Sequence, residues 1–241
     1  MTRIRHVVVA VPARNEERLL GTCLDSVLTA VARLQRHRPG TTAEVVVALD
    51  GCVDGSAAVA TRRPVTVVYE DAGAVGPARR AAVAAGLGAP AAGSAREQIW
   101  VANTDADCEV PPHWLLEQVA LADEGVDLVV GTVSPVDVAD PRVLGAWLER
   151  HELREGHGHV HGANLGVRAD AYLAVGGFAP LAVHEDVGLV TRLRAAGHPW
   201  VATDRCRVRT SGRTESRVEG GFATFLAGLT TTGDVASLET A

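Results

Sequence analysis

Four short apolar runs, each cut off by a polar or acidic turn, constrain this chain more than any other feature. Val7-Val8-Val9-Ala10-Val11, Glu44-Val45-Val46-Val47-Ala48-Leu49, Val65-Thr66-Val67-Val68-Tyr69 and Ile99-Trp100-Val101-Ala102-Asn103 show little of the polar alternation of a half-wet strand. Strands of that kind are covered on both faces. Helical patterning lies between them: Leu20, Cys23, Leu24, Val27, Leu28, Val31 and Leu34 recur on one helix face. Asn15 is placed to cap that helix, with Glu16 and Glu17 in its first turn and Arg33, Arg36 and Arg38 in its last. Asp54 or Ser56 can cap a short helix to about 62, residues 77–86 read as an alanine-rich helix, 87–95 as a flexible loop, and Pro111-Pro112 opens a helix to about 122. The alternation predicts an α/β fold: a mainly parallel central sheet with helices on both faces and right-handed crossovers. Ligands of such sheets bind at the carboxyl ends of the strands. Residues 12–15, 50–54 and 105–107 should therefore meet on one rim.

The second half alternates less cleanly. Residues 128–132 read as a strand, and Asp140-Pro141 starts a helix carrying Val143, Leu144, Trp147, Leu148 and His151. A glycine and histidine loop follows at 156–162, then an extended stretch at 164–168, a short helix from Asp170 toward Val175 and the turn Gly176-Gly177-Phe178. His184-Glu185-Asp186 precedes another helix, residues 200–202 and 206–208 suggest two short strands, and the tail after about 230 is polar and frayed. No linker divides the 241 residues, so one domain is expected, with halves at 1–125 and 126–230 and a tail at 231–241.

Composition removes several classes of chemistry. All 23 basic Lys+Arg residues are arginine. A P-loop needs its lysine and a Schiff-base enzyme its amine, so both are excluded, and a phosphate must be held by arginine, backbone N–H groups or metal. A net charge of -6 without a dense basic run argues against nucleic acid as partner. Cys23, Cys52, Cys108 and Cys206 have neither zinc nor disulfide spacing. No apolar run is long enough to span a bilayer, and the start passes straight into a strand-like run without a signal-peptide pattern. A cytoplasmic protein is expected, with peripheral membrane contact open and the oligomeric state undetermined.

Asn103-Thr104-Asp105-Ala106-Asp107 is where chemistry concentrates. A buried strand ending in two carboxylates one residue apart can hold Mg²⁺ or Mn²⁺, which take few protein carboxylates and complete their octahedron with diphosphate oxygens and water. His157, His159 and His161 could add a metal ligand or be surface loop residues.

The order of motifs resembles the family 2 glycosyltransferases of GT-A fold. The resemblance is carried by residues 11–17, 49–56, 78–80, 104–107, 162–168, 176–178 and Glu185-Asp186, in the family's order. It implies transfer of a sugar from a nucleotide-diphosphate donor, a UDP-sugar foremost, to an acceptor hydroxyl, with inversion at the anomeric carbon. It further implies that Pro12, Arg14 and Asp50 line the base pocket with Arg79 alongside, that Asp105 meets ribose and metal, that Asp107 binds the metal, and that Asp186 is the general base. Glu16 and Glu185 join the substrate-binding positions on the same ground. An inverting displacement needs a base opposite the leaving group and positive charge at the departing diphosphate. Without lysine, Arg209 or Arg213 would supply that charge.

Plainer roles stand beside these: Asp54 and Ser56 as turn or cap residues, Asp186 as a helix cap, Arg209 and Arg213 as solvated strand charges. The chain departs from the family where many members carry two acidic residues at its Leu49-Asp50 and asparagine at its Arg80. It also lacks the arginine and tryptophan motif and the transmembrane helices of processive members, which favours a single, non-processive transfer. Two other readings compete: a catalytically weak nucleotide-sugar-binding or partner-binding protein on the same fold, and a nucleotidyltransferase, for which a glycine-rich basic phosphate loop is missing.

Overall fold

The computed structural model describes residues 2–88, 93–213 and 222–231. The first strand, β1 (His6–Ala13), is buried along its whole length because it pairs on both sides and is covered on both faces. Val7, Val9 and Val11 pack into one core cluster with Leu20, Leu24 and Val27 of α1 (Leu20–His37). Val8 and Ala10 pack into a second cluster with Ala78, Ala82 and Val83 of α3 (Val75–Gly88). Alternate side chains of a strand point to opposite faces, so two cores require a run with no polar position. The alanine content of α3 has a matching cause: a Cβ on Gly86 would stand 2.4 Å from Val8, so this helix lies too close to β1 for large residues.

β2 (Thr42–Asp50), α2 (Ser56–Thr61), β3 (Thr66–Glu70) and β4 (Ile99–Asn103) complete the parallel part, in the order β3-β2-β1-β4. Beyond it come β5 (Cys108–Glu109), α4 (Trp114–Asp123), β6 (Leu128–Val136), α5 (Pro141–Arg150), β7 (Leu165–Arg168), α6 (Ala169–Ala174), α7 (Glu185–Ala195), β8 (Trp200–Ser211) and α8 (Phe222–Thr231). The full order is β3-β2-β1-β4-β7-β6-β8-β5. β1, β2, β3, β4, β6 and β8 run in one direction, while β5 and β7 run against them. The rim at the carboxyl ends of the former therefore also receives the starts of β5 and β7, which brings Asp107 and Gly162 to it.

Several local expectations change. Asn15 does not cap α1; it is left-handed (φ 54) and its side chain accepts from Val53 N at 2.9 Å. Asparagine tolerates that conformation as readily as it caps. The chain reverses there, and α1 starts only at Leu20 with no acidic residue in its first turn. The two short strands expected at 200–202 and 206–208 are one strand, β8, whose pairing with β6 shifts register between Thr203 and Val208. β5 and α8 were not expected at all. Residues 89–92 of the expected loop and 232–241 of the expected tail lie outside the described residues. Among the described residues no helix is long and apolar enough to cross a membrane.

Candidate active site

Reversal at Asn15 turns Glu16 inward, and further bonds stitch the loop after β1 to the loop after β2. Glu16 N donates to Ser56 Oγ at 2.8 Å, Glu17 N to Asp54 Oδ2 at 3.0 Å, and Gly55 N to Glu17 Oε2 at 2.7 Å. Asp54 also accepts from Ser56 N at 3.0 Å in the turn before α2, but neither residue caps that helix: its N-cap is Gly55, without a side-chain cap bond, and Ser56 is its first residue. Asp50, at the end of β2, is buried; its Oδ1 accepts from Gly73 N at 2.9 Å and its Oδ2 meets Arg14 Nη1 at 3.5 Å.

β4 ends in a tight turn, closed by Cys108 N donating to Asp105 O at 3.1 Å, which presents both carboxylates on the rim. Carboxylate oxygens of Asp105 and Asp107 and the Cys108 sulfur lie within 4.8 Å of one another. Burial first, then Asp105 and Glu16, push the Asp107 carboxyl up to about 6, against the opposing pull of Arg213. Burial and the same two aspartates hold the Cys108 thiol well above its ordinary value, so it stays protonated. The group that remains is a pair of hard oxygen donors with excess negative charge, which suits Mg²⁺ or Mn²⁺ and not a soft metal. Arg213 bridges it to the first loop: Nη2 lies 2.6 Å from Glu16 Oε1 and 3.1 Å from Asp107 Oδ2.

Arg79, from the first turns of α3, is the hub. Its side chain is 3% exposed; Nε meets Glu185 Oε1 at 2.9 Å, Nη2 meets Asp105 Oδ1 at 2.5 Å, and Nη1 donates to Gly162 O at 3.0 Å. Burial works against its charge, but Asp105, Glu185 and Asp186 outweigh that and hold it above its ordinary value. Glu185 moves up through burial, with Arg79 opposing and Asp186 adding to the rise. The left-handed His184 (φ 61) sets Glu185 and Asp186 in the first turn of α7, at its positive end. Asp186 accepts from Gly162 N at 2.6 Å and from Val187 N at 2.8 Å. Gly162 thus holds Asp186 through its N–H and Arg79 through its carbonyl. A Cβ there would stand 2.5 Å from the guanidinium, which is why the position is glycine.

These groups line one cleft of about 600 Å³. It collects Pro12, Arg14, Glu16, Asp50, Arg79, Asp105, Asp107, Glu185, Asp186 and Arg213. Arg209 is not among them: it pairs with Glu109 at 3.4 Å across the β5–β8 ladder, and both side chains are largely exposed. The next strand positions, Thr210 and Ser211, face the cleft instead. His151, His159, His161 and Phe225 also line it. None of these histidines joins Asp105 and Asp107 in a potential metal group among the described residues. His151 and Phe225 did not figure among the sequence candidates. A signal existed for the histidines: His151 follows Trp147 by one helical turn, and 157, 159 and 161 alternate.

The sequence profile of the family described as Glycosyl transferase family 2 matches residues 8–168. No curated protein matches the chain. Among solved structures, S. aureus TarS 1-349 is similar with a TM-score of 0.60 and 17% identity, over 86% of this chain and 60% of that one. The mannosyltransferase PcManGT from Pyrobaculum calidifontis, in complex with GDP-Man and Mn²⁺, gives 0.59 and 22%, over 90% and 59%. Glucosyl-3-phosphoglycerate synthase from Mycobacterium tuberculosis, in complex with Mg²⁺ and UDP, gives 0.53 and 20%, over 86% and 70%. The chain spans about three fifths of the length of the first two. At these identities the likeness is one of fold, and that fold is GT-A.

Proposed function

The chain belongs to glycosyl transferase family 2, and from that membership we propose that it is a metal-dependent, inverting glycosyltransferase. It moves one sugar from a nucleotide-diphosphate sugar, a UDP-sugar foremost, to an acceptor hydroxyl without processive extension. One observation carries the reading: Asp105 and Asp107 at the end of β4 and Asp186 at the start of α7 line the same cleft, tied together through Arg79 and Gly162. Complexes of similar fold with GDP-Man and Mn²⁺, and with UDP and Mg²⁺, support the donor class.

In this reading residues 1–125 supply the donor side and 126–230 the base and the acceptor side. Pro12, Arg14 and Asp50 take the base; Asp50 Oδ1 accepts from Gly73 N and Oδ2 meets Arg14 at 3.5 Å, and the second lone pair of Oδ2 is the one that accepts from an imide N–H. Asp105 and Asp107 would hold Mg²⁺ or Mn²⁺, which when bound neutralises charge on the departing diphosphate. Arg213, between Glu16 and Asp107, adds a guanidinium at the same end. Glu185 keeps Arg79 in place, and Arg79 keeps Asp105 turned toward the cleft. Asp186 removes the proton from the acceptor hydroxyl. The two backbone N–H groups on its oxygens fix its orientation, and each carboxylate oxygen retains a second lone pair. The reading includes a cytoplasmic location and a soluble or membrane-surface acceptor, as the sequence led us to expect.

A thermal-shift screen of nucleotide sugars with Mn²⁺ identifies the donor. With that donor, Asp186→Asn keeps donor affinity and loses transfer by about 10²–10⁴-fold, the usual share of a general base. Transfer at the unmutated rate removes Asp186 from that role.

A further inference from the structure

The histidines near the cleft meet face to face. Trp147 and His151 stack at 4.4 Å between centroids and 7° between planes, and His151 and His159 at 4.5 Å and 29°. His161 lies beside both, at 6.0 and 6.2 Å, and Phe225 meets His151 edge-on at 5.6 Å. Chelation needs ring nitrogens converging on a point, whereas stacking sets ring faces against each other. The column rests on α5, where His151 Nδ1 donates to Trp147 O at 3.0 Å. Its cleft side is a flat wall of ring faces and edges.

That wall is neutral at pH 7. Burial pushes His151 down to about 4 and His161 to about 3, with neighbouring imidazoles adding to both shifts, and lowers His159 as well. The opposite wall carries the charge, and its guanidiniums stand on the donor side of the cleft. Among the described residues, the guanidiniums lining the cleft are Arg14, Arg79 and Arg213, each paired with a carboxylate: Asp50, Asp105 with Glu185, and Glu16 with Asp107. Among the described residues, no guanidinium lines the imidazole side of the cleft. The wall is also joined to the proposed base, because His161 directly precedes Gly162, whose N–H holds Asp186 at 2.6 Å. A hydroxyl presented to Asp186 therefore belongs to a molecule lying against these rings.

We propose that His151, His159 and His161, closed by Phe225, form the acceptor subsite, and that it takes an uncharged ring-shaped alcohol, a glycoside, rather than a phosphorylated or carboxylated acceptor. A pyranose ring offers an apolar C–H face to the stack, while its hydroxyls exchange hydrogen bonds with imidazole edges, the arrangement by which mostly apolar pockets with a few polar groups orient ligands. The proposal rests on the glycosyltransferase reading and adds the acceptor class to it.

The test is calorimetry and ligand-observed NMR on the full chain, with and without UDP and Mn²⁺. The probes are the methyl glycosides of glucose, galactose, mannose and N-acetylglucosamine, set against glucose 6-phosphate. At least one methyl glycoside binds, and more tightly than glucose 6-phosphate. Its affinity falls at least fivefold in His159→Ala and in Phe225→Ala, both half-exposed positions, and stays within twofold in His159→Phe, which keeps a flat ring. UDP affinity is the same in all of these proteins. Binding by no glycoside, tighter binding of glucose 6-phosphate, or glycoside binding indifferent to the alanine substitutions overturns the proposal. Failure of UDP to bind counts against the donor reading alone, and the titrations without nucleotide still judge the wall.

Discussion

The two walls of the cleft are built on opposite electrostatic principles. One, from the ends of β1, β2 and β4 with Arg79 and Arg213, is a lattice in which every guanidinium is held by carboxylates and the carboxylates are in excess. The other, from α5, the 157–161 segment and α8, is a stack of rings with no charge at neutral pH. Buried charges must be paired, and the pairing fixes their positions to within a hydrogen bond. Rings need only a face to lie on, which tolerates variety in what they touch. In the proposed function the rigid wall serves the donor, whose charged diphosphate is the same whichever sugar it carries, and the neutral wall serves the acceptor.

Breaking the charged wall at its hub has the largest effect. Arg79→Met strips the buried Glu185 of its cation and unties Asp105, and removing one partner of a buried pair costs about 3–5 kcal/mol. Denaturant unfolding measures it, and the double variant with Glu185→Gln should recover part of the loss. An Arg79→Met protein as stable as the parent would mean that the pair carries no such weight.

The neutral wall makes a smaller, pH-dependent contribution. A histidine whose folded value lies below its unfolded one binds protons more readily when unfolded, so the fold loses stability as pH falls below about 6.5 toward the folded values of about 4 and 3. Asp107, raised to about 6, acts in the opposite sense between its ordinary value and 6, so variants are compared with the parent at each pH. Thermal melts from pH 7 to 5 should fall less steeply for His151→Phe than for the parent, and parallel curves would contradict a buried neutral imidazole.

At the small end, Arg209→Ala should leave donor binding unchanged and shift stability by less than about 0.5 kcal/mol, since its partner Glu109 is exposed too. A clear loss of donor affinity would put Arg209 back at the diphosphate.

The charged wall was the legible one. Its residues sit where apolar runs stop, and a parallel sheet sends all such stops to one rim, so the sequence alone gathers Asp50, Asp105 and Asp107. Arg209 and Arg213 could not be separated that way: Arg209 lies inside β8, where its register with β5 sets it against Glu109, whereas Arg213 lies two residues past the strand end and reaches across to Glu16. Asn15 misled because the same side chain suits a helix cap and a left-handed turn. The imidazole wall depends on contacts between α5, a loop and α8 that no local pattern encodes, although the alternating histidines were in plain view.

The central claim is that Asp105 and Asp107 hold the donor through a divalent cation. Calorimetric titration of UDP with and without Mn²⁺, on the parent and on Asp107→Ala at pH 7.5 and 5.5, tests it most directly. The account predicts Mn²⁺-dependent binding that Asp107→Ala abolishes and that weakens in the parent as pH drops below about 6, where the Asp107 carboxylate takes up a proton. Binding that ignores Mn²⁺ and survives Asp107→Ala unchanged would contradict it.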